Sequence, residues 1–139
     1  MFKHKKIFDN YYMAPIDFCF GDPEDFANYL RKRYSYETSV DKISGKAIVL
    51  EDKNSKSDMF VIFVEDVPEP IWLMSYIMHE CNHVAFDILE SRGVPILNDN
   101  SEVFCYYSEY LFMTFCKLFK LKKLFENFYK EEFSEGLKQ

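Results

Sequence analysis

The spacing of apolar residues in the first half of the chain predicts one helix and two strands. Residues 22–24 (Asp-Pro-Glu) precede an apolar-periodic run and are typical of a helix start, with Asp22 as the N-cap and Pro23 in the first turn. Residues 46–50 and 59–65 are short runs rich in β-branched and aromatic side chains, and together they predict an antiparallel hairpin. The side chains that the helix would bury are Phe26, Tyr29, Leu30 and Tyr34.

The clearest periodicity lies between residues 71 and 91 and predicts a long amphipathic helix. At about 100° per residue, His79 and His83 project from the side opposite the apolar residues. The segment 92–95 (Arg-Gly-Val-Pro) ends the helix, because Gly and Pro are typical of helix C-termini. The residues that we expect on its buried face are Met74, Ile77, Met78, Cys81, Val84, Ala85 and Ile88.

A second helical run begins near Asp99 and contains neither Gly nor Pro until Gly136. Because it is longer than a typical globular helix, we expect a break or bend at residues 117–123. The segment 115–133 mixes Lys with Leu and Phe, which is typical of a helix that packs on a core, forms a dimer or lies on a membrane. Its charge then turns acidic, which disfavours anionic membranes. We therefore expect the C-terminal extension, residues 116–135, to pack on the core or to form a homo-oligomer.

Together these elements predict an α+β fold, with a small antiparallel sheet packed on three or four helices. The chain has 139 residues, which suits a single domain spanning 1–139. Its hydrophobic fraction of 48% and aromatic fraction of 19% are enough to build a core.

Charge and cysteine usage narrow the function classes. The formal net charge is −6, so a general nucleic-acid-binding role is disfavoured, because phosphate neutralisation needs an excess of Lys and Arg. No stretch approaches the ~18 apolar residues of a membrane span, and no signal-peptide core follows the N-terminus. We therefore expect a cytoplasmic protein with no membrane partner. In that reducing compartment the four cysteines, which have no paired spacing, are expected to be core thiols: Cys19, Cys81, Cys105 and Cys116.

The candidate chemistry lies in the motif HECNH at residues 79–83. Two His residues at i and i+4 lie one above the other on a helix, so both imidazoles can reach one metal ion. The Glu beside them can take a proton from a metal-bound water. We therefore expect Zn²⁺ bound by His79 and His83, with Glu80 as the catalytic base. The alternative is a pair of surface histidines on a solvated helix face.

A catalytic zinc site needs a third protein ligand and one open position for water. The metzincin pattern is excluded, because it requires Gly at position 86 and His or Asp at position 89, where this chain has Phe and Leu. Glu102 lies 19 positions after His83, which gives the spacing HExxH-x18-E. Glu102 also fits a capping box in which Asp99 is the N-cap, and Glu109 and Asp99 are rival ligands.

The HExxH-x18-E spacing resembles that of gluzincin peptidases. Residues 70–115, about a third of the chain, also resemble a group of small phage and prophage proteins. Those proteins combine HExxH on one helix with a Glu-x-x-small-Tyr pattern that opens the next; here residues 102–106 (Glu-Val-Phe-Cys-Tyr) carry that pattern, with Cys where Ala is expected. The resemblance implies a minimal zincin-like core in which His79, His83 and Glu102 hold the zinc and Glu80 is the base. It also implies a phage protein in the cytoplasm of a host cell.

Side chains around the motif have candidate supporting roles. Asp87 follows His83 by four residues and can orient its imidazole, although such a residue is also typical of a solvated helix surface. A phenol can stabilise an oxyanion, but each Tyr can equally serve only in packing. The candidate phenols are Tyr76, Tyr106, Tyr107 and Tyr110.

The function that these features favour is a zinc-dependent hydrolase, and most specifically a small metallopeptidase acting on a protein or peptide substrate. An extended peptide could add to the sheet edge at strand 59–65. The competing hypothesis is a zinc-stabilised binding or virion-associated protein without turnover, which a closed site with four protein ligands would favour.

Overall fold

The computed structural model describes residues 1–39, 41 and 43–137, with side chains as far as residue 132. Within these residues it contains four strands and four helices. In chain order they are β1 (Lys3–Asp9), β2 (Ala14–Gly21), α1 (Pro23–Tyr34), β3 (Gly45–Asp52), β4 (Ser57–Glu65), α2 (Pro70–Ser91), α3 (Ser101–Leu118) and α4 (Lys122–Leu137). The predicted α+β class is confirmed.

The strands form one sheet in the order β1-β2-β4-β3. β1 pairs with β2 and β3 pairs with β4 as antiparallel hairpins, which confirms the hairpin predicted over residues 46–50 and 59–65. β2 and β4 pair in parallel, with α1 and β3 between them along the chain. The sheet is therefore mixed rather than wholly antiparallel.

The prediction that strand 59–65 lies at the sheet edge is wrong. β4 pairs with β2 on one side and with β3 on the other, so its backbone groups are already engaged. Its residues from Met59 to Val64 are buried, as expected of a central strand. The edges of the described sheet are β1 and β3.

Side chains of β2 alternate between two separate cores, because successive residues of a strand point to opposite faces. Ile16, Phe18 and Phe20 join the core beneath α2 and α3, whereas Cys19 joins the core beneath α1. The HECNH helix and α1 therefore cover opposite faces of one sheet.

The helix boundaries follow the local signals in the sequence. The Asp22 side chain accepts hydrogen bonds from the backbone N–H groups of Glu24 and Asp25, at 3.0 and 3.1 Å, so the predicted cap of α1 is confirmed. The predicted break after α3 is also confirmed, since α3 ends at Leu118 and α4 begins at Lys122. Within the described part of the chain, no helix combines the length and the apolar character needed to cross a membrane.

The four cysteines are free thiols. Three of them are buried, as the sequence predicts. Cys105 is exposed on α3, so its assignment to the core is wrong.

Candidate metal centre

The helix α2 presents its histidines to solvent because its other face is anchored on the sheet. Leu73, Ile77, Cys81, Val84 and Ile88 are buried against the strands. The predicted apolar face is thus largely correct, with two differences: Leu73 and Leu89 also belong to it, and Met78 is 40% exposed.

His79 and His83 converge on one point above the helix. Their Nε2 atoms are 3.1 Å apart, and the ring planes cross at 74°. Two imidazole nitrogens bound to one tetrahedral zinc, each at about 2.05 Å, would be separated by about 3.3 Å. The observed pair lies within a few tenths of an ångström of that requirement. The same distance also fits a hydrogen bond between the two rings, so it shows convergence and not occupancy.

Glu80 lies under the histidine pair and against the edge strand β3. Its carboxylate oxygen Oε1 is 3.9 Å from Nε2 of His79, and only 8% of the residue is exposed. Gly45, the first residue of β3, covers it: a Cβ atom at Gly45 would lie 2.6 Å from Cγ of Glu80 and 3.0 Å from its Cδ. A side chain at position 45 would therefore displace the carboxylate.

Gly45 is the site residue that sequence reasoning missed. The sequence offers no sign that residues 45 and 80 meet. A tertiary contact between a strand start and a helix centre has no local signature.

Burial raises the pKa of the Glu80 carboxyl above its ordinary value, and the nearby His79 and His83 oppose that increase. Among the described residues no hydrogen bond is donated to this carboxylate. Solvent still reaches the carboxylate oxygens, since the Glu80 side chain is 10% exposed. It retains its full capacity to accept a proton or to hold a water.

The candidate third ligand is not assembled with the histidines. Glu102 is exposed in the first turn of α3, and among the described residues no three His, Cys, Asp or Glu side chains are placed together to hold a metal ion. The rivals Asp99 and Glu109 are also exposed. The structure therefore brings His79, Glu80 and His83 together and leaves the third ligand outside the group.

The capping-box alternative for Glu102 is wrong. The N-cap of α3 is Asn100 and not Asp99, and no side chain caps the helix. The Asn100 side chain instead braces the preceding loop, accepting from the Leu97 N–H at 2.6 Å and donating to the Pro95 carbonyl at 2.5 Å.

The residues with candidate supporting roles lie in two different parts of the structure. Asp87 is half-buried, with its pKa raised by burial and opposed by His83, but no hydrogen bond joins it to that imidazole in the described structure. Tyr76 stacks on Trp72, three residues before His79. The other three phenols, Tyr106, Tyr107 and Tyr110, line a separate cavity on α3.

The assembled groups can bind a metal ion through two imidazoles and offer a carboxylate to a water beside it. His79 and His83 fit zinc, whereas a catalytic site also requires a third protein ligand. Comparisons with protein-family models, with curated proteins and with solved structures find no match to this chain.

Proposed function

We propose that the protein is a zinc-dependent hydrolase, acting as a small metallopeptidase on protein or peptide substrates in the cytoplasm. The observation that carries the proposal is the convergence of the His79 and His83 Nε2 atoms at 3.1 Å beside a buried carboxylate. His79 and His83 would hold the zinc, and Glu80 would be the catalytic base.

Glu102 remains the proposed third ligand, with Glu109 and Asp99 as its rivals. It is exposed at the start of α3, the helix that follows α2 and packs against it. No hydrogen bond or ion pair ties its side chain to the other described residues. It is therefore free to change rotamer, whereas a capping glutamate would not be.

Zinc bound at this site would polarise a scissile carbonyl and make a bound water more acidic. Glu80 would accept the proton of the attacking water and pass it to the leaving amine. Gly45 lies against the Glu80 side chain and limits its movement, and the buried apolar residues of α2 fix the helix that carries Glu80.

An extended substrate would lie along β3 and not along β4. The outer edge of β3 has no partner strand in the described sheet, and its first residue lies over Glu80. A peptide that adds to this edge would therefore carry its backbone past the histidine pair. The exposed rings of Trp72 and Phe86, on either side of the pair along α2, are available to substrate side chains.

Replacement of Glu80 by Gln tests the proposal. Wild type and the variant are incubated with a mixture of denatured proteins, and the peptides are compared by mass spectrometry. Loss of a general base should reduce cleavage by about 10²–10⁴-fold, with zinc content and melting temperature unchanged. Glu90→Gln is the matched control, since Glu90 is an exposed glutamate on the same helix.

Three outcomes would count against the proposal. Equal cleavage by wild type and Glu80→Gln would remove Glu80 from the reaction. Zinc loss in Glu80→Gln would make Glu80 a ligand. Stoichiometric zinc without any cleavage product would favour the non-catalytic, zinc-stabilised hypothesis.

A further inference from the structure

A cavity lies away from the histidine pair, between the β1–β2 turn and the first half of α3. It has a volume of about 370 Å³, near the small end of ligand-binding pockets. Five of its six lining residues are tyrosines, and none is basic: Tyr11, Tyr12, Val103, Tyr106, Tyr107 and Tyr110. We call it the tyrosine pocket.

The tyrosine pocket presents rings in more than one orientation. Tyr11 crosses Tyr110 at 82° with ring centroids 5.4 Å apart, and Tyr12 crosses Tyr107 at 70° with centroids 4.7 Å apart. Tyr107 and Tyr110 are nearly parallel, at 15° with centroids 6.1 Å apart. Both ring faces and ring edges therefore line the pocket, as they do in an aromatic cage.

The turn that supplies two of the rings is firmly held. The buried Asp9 carboxylate accepts the backbone N–H groups of Tyr11 and Tyr12, both at 3.1 Å, and the Tyr107 hydroxyl at 2.7 Å. From the outside, the Arg92 guanidinium donates to the carbonyls of Tyr12 and Met13 at 2.8 and 2.9 Å. The pocket is therefore preformed, which reduces the entropic cost of binding.

The two rings at the mouth are unusually open. Tyr11 is 76% exposed and Tyr106 is 67% exposed. Negative charge around the pocket favours a positively charged ligand. The chain carries a formal net charge of −6. Glu102 and Glu109 are neighbours of Tyr106 on the helix surface, at i−4 and i+3.

The lining also distinguishes between kinds of cation. A primary ammonium has three N–H donors that need acceptors once it leaves water. The Asp9 carboxylate already accepts three hydrogen bonds and is only 1% exposed. A quaternary ammonium has no N–H donor, so it needs only the aromatic faces.

We propose that the tyrosine pocket binds a quaternary ammonium group. The proposal does not depend on zinc binding, because none of the six lining residues is a proposed zinc ligand or the proposed base.

Choline and its neutral isostere 3,3-dimethylbutan-1-ol are the probes, titrated into the full chain and followed by NMR chemical shifts. They share a shape and differ in charge. Choline should bind in about the millimolar range, and the isostere should bind at least about tenfold more weakly. Equal affinity for the two, or no binding of choline, would overturn the proposal.

Variants at the mouth locate the site. Tyr106→Leu should weaken choline binding by about fivefold or more, whereas Tyr106→Phe should retain it, because the ring face and not the hydroxyl makes the contact. Tyr11→Leu provides a second exposed position, and Tyr129→Leu on α4 is the control outside the pocket. If Tyr106→Phe loses as much affinity as Tyr106→Leu, the hydroxyl is the binding group and the proposal fails.

Titration with trimethyllysine, used as the capped amino acid, tests whether the quaternary ammonium group belongs to a modified peptide or to a small molecule. Tighter binding than choline would indicate a modified peptide as the natural ligand, and weaker binding would indicate a choline-type small molecule. Choline must bind in both cases, and absence of choline binding contradicts the proposal.

Discussion

Two buried carboxylates lie on opposite faces of the sheet, and only one of the two accepts hydrogen bonds from the described residues. Asp17, beneath α1, is fully buried and accepts hydroxyl hydrogen bonds from Tyr29 at 2.5 Å and Tyr34 at 2.6 Å. Glu80, on α2, is 8% exposed and receives no hydrogen bond from the described residues. The hydrogen bonds to Asp17 stabilise the fold, whereas the Glu80 carboxylate is left available to accept a proton or to bind a water.

The difference is visible in the groups around each carboxylate. At Asp17, burial and the hydrogen bond to that carboxylate raise the pKa of the Tyr29 hydroxyl far above its usual value, so the donor keeps its proton. At Glu80 the neighbouring ionisable groups are the imidazoles of His79 and His83, which converge on each other. Glu80 therefore has ionisable neighbours but no hydrogen-bond donor among the described residues, as expected of a carboxylate that works with a metal-bound water.

Gly45→Ala should reduce the cleavage rate at the Glu80 site, and this is the largest effect that we expect. The added Cβ would lie 2.6 Å from Cγ of Glu80, so the carboxylate must move. A shift of about 1 Å in a catalytic group can cost about 10²-fold in rate, and we expect a loss of that order with zinc content unchanged. The measurement is cleavage rate with zinc content on the same sample. Val49→Ala, at an exposed position of the same strand, is the control, and full activity in Gly45→Ala would remove the proposed role of this contact.

Conversion of each carboxylate to the amide should separate the two sites by stability. Asp17→Asn weakens two charge-assisted hydrogen bonds, and we expect the free energy of unfolding to fall by about 2 kcal/mol. Glu80→Gln removes a charge that has no hydrogen-bond donor, and we expect a change within about 0.5 kcal/mol. Urea denaturation measures both. A larger loss for Glu80→Gln than for Asp17→Asn would reverse the comparison.

Glu102→Gln should have the smallest effect on the fold and a selective one on metal binding. If Glu102 is the third ligand, zinc affinity should fall more than about tenfold. Stability in the metal-free state should hardly change, because Glu102 caps nothing in the structure. Zinc titration of Glu102→Gln beside Glu109→Gln and Asp99→Asn assigns the ligand, and unchanged affinity in all three would place the third ligand elsewhere.

The parts of the fold that were predictable carry their signals locally. The cap at Asp22, the long apolar periodicity of α2 and the β-branched run of β4 each reflect the physical preferences of a few adjacent residues. The break between α3 and α4 followed from excessive helix length.

The strands β1 and β2 were not predictable in the same way. β1 is rich in Lys and mostly exposed, and β2 contains Pro15 and the buried Asp17. Their local strand signal is interrupted by these residues, and pairing with each other and with β4 holds them in the sheet. Strand order is equally non-local, so the edge position was assigned to β4 when β3 occupies it.

At the candidate site, the facing of His79 and His83 follows from helix geometry alone and is confirmed, with Nε2 atoms 3.1 Å apart. The contact of Gly45 with Glu80 depends on how a strand docks on a helix, which local sequence does not encode. The role of Glu102 stays a prediction for the same reason, since it depends on the approach of α3.

Zinc titration tests the central claim that the histidine pair is a metal site. The chain has three histidines, which provides an internal control: His4 lies on β1, within 4.0 Å of Asp17 on the other face of the sheet. Wild type and His4→Asn should each bind about one zinc per chain, and the double variant His79→Asn, His83→Asn should bind none. Wild-type protein that takes up no zinc, or a double variant that binds as much zinc as wild type, would contradict the claim.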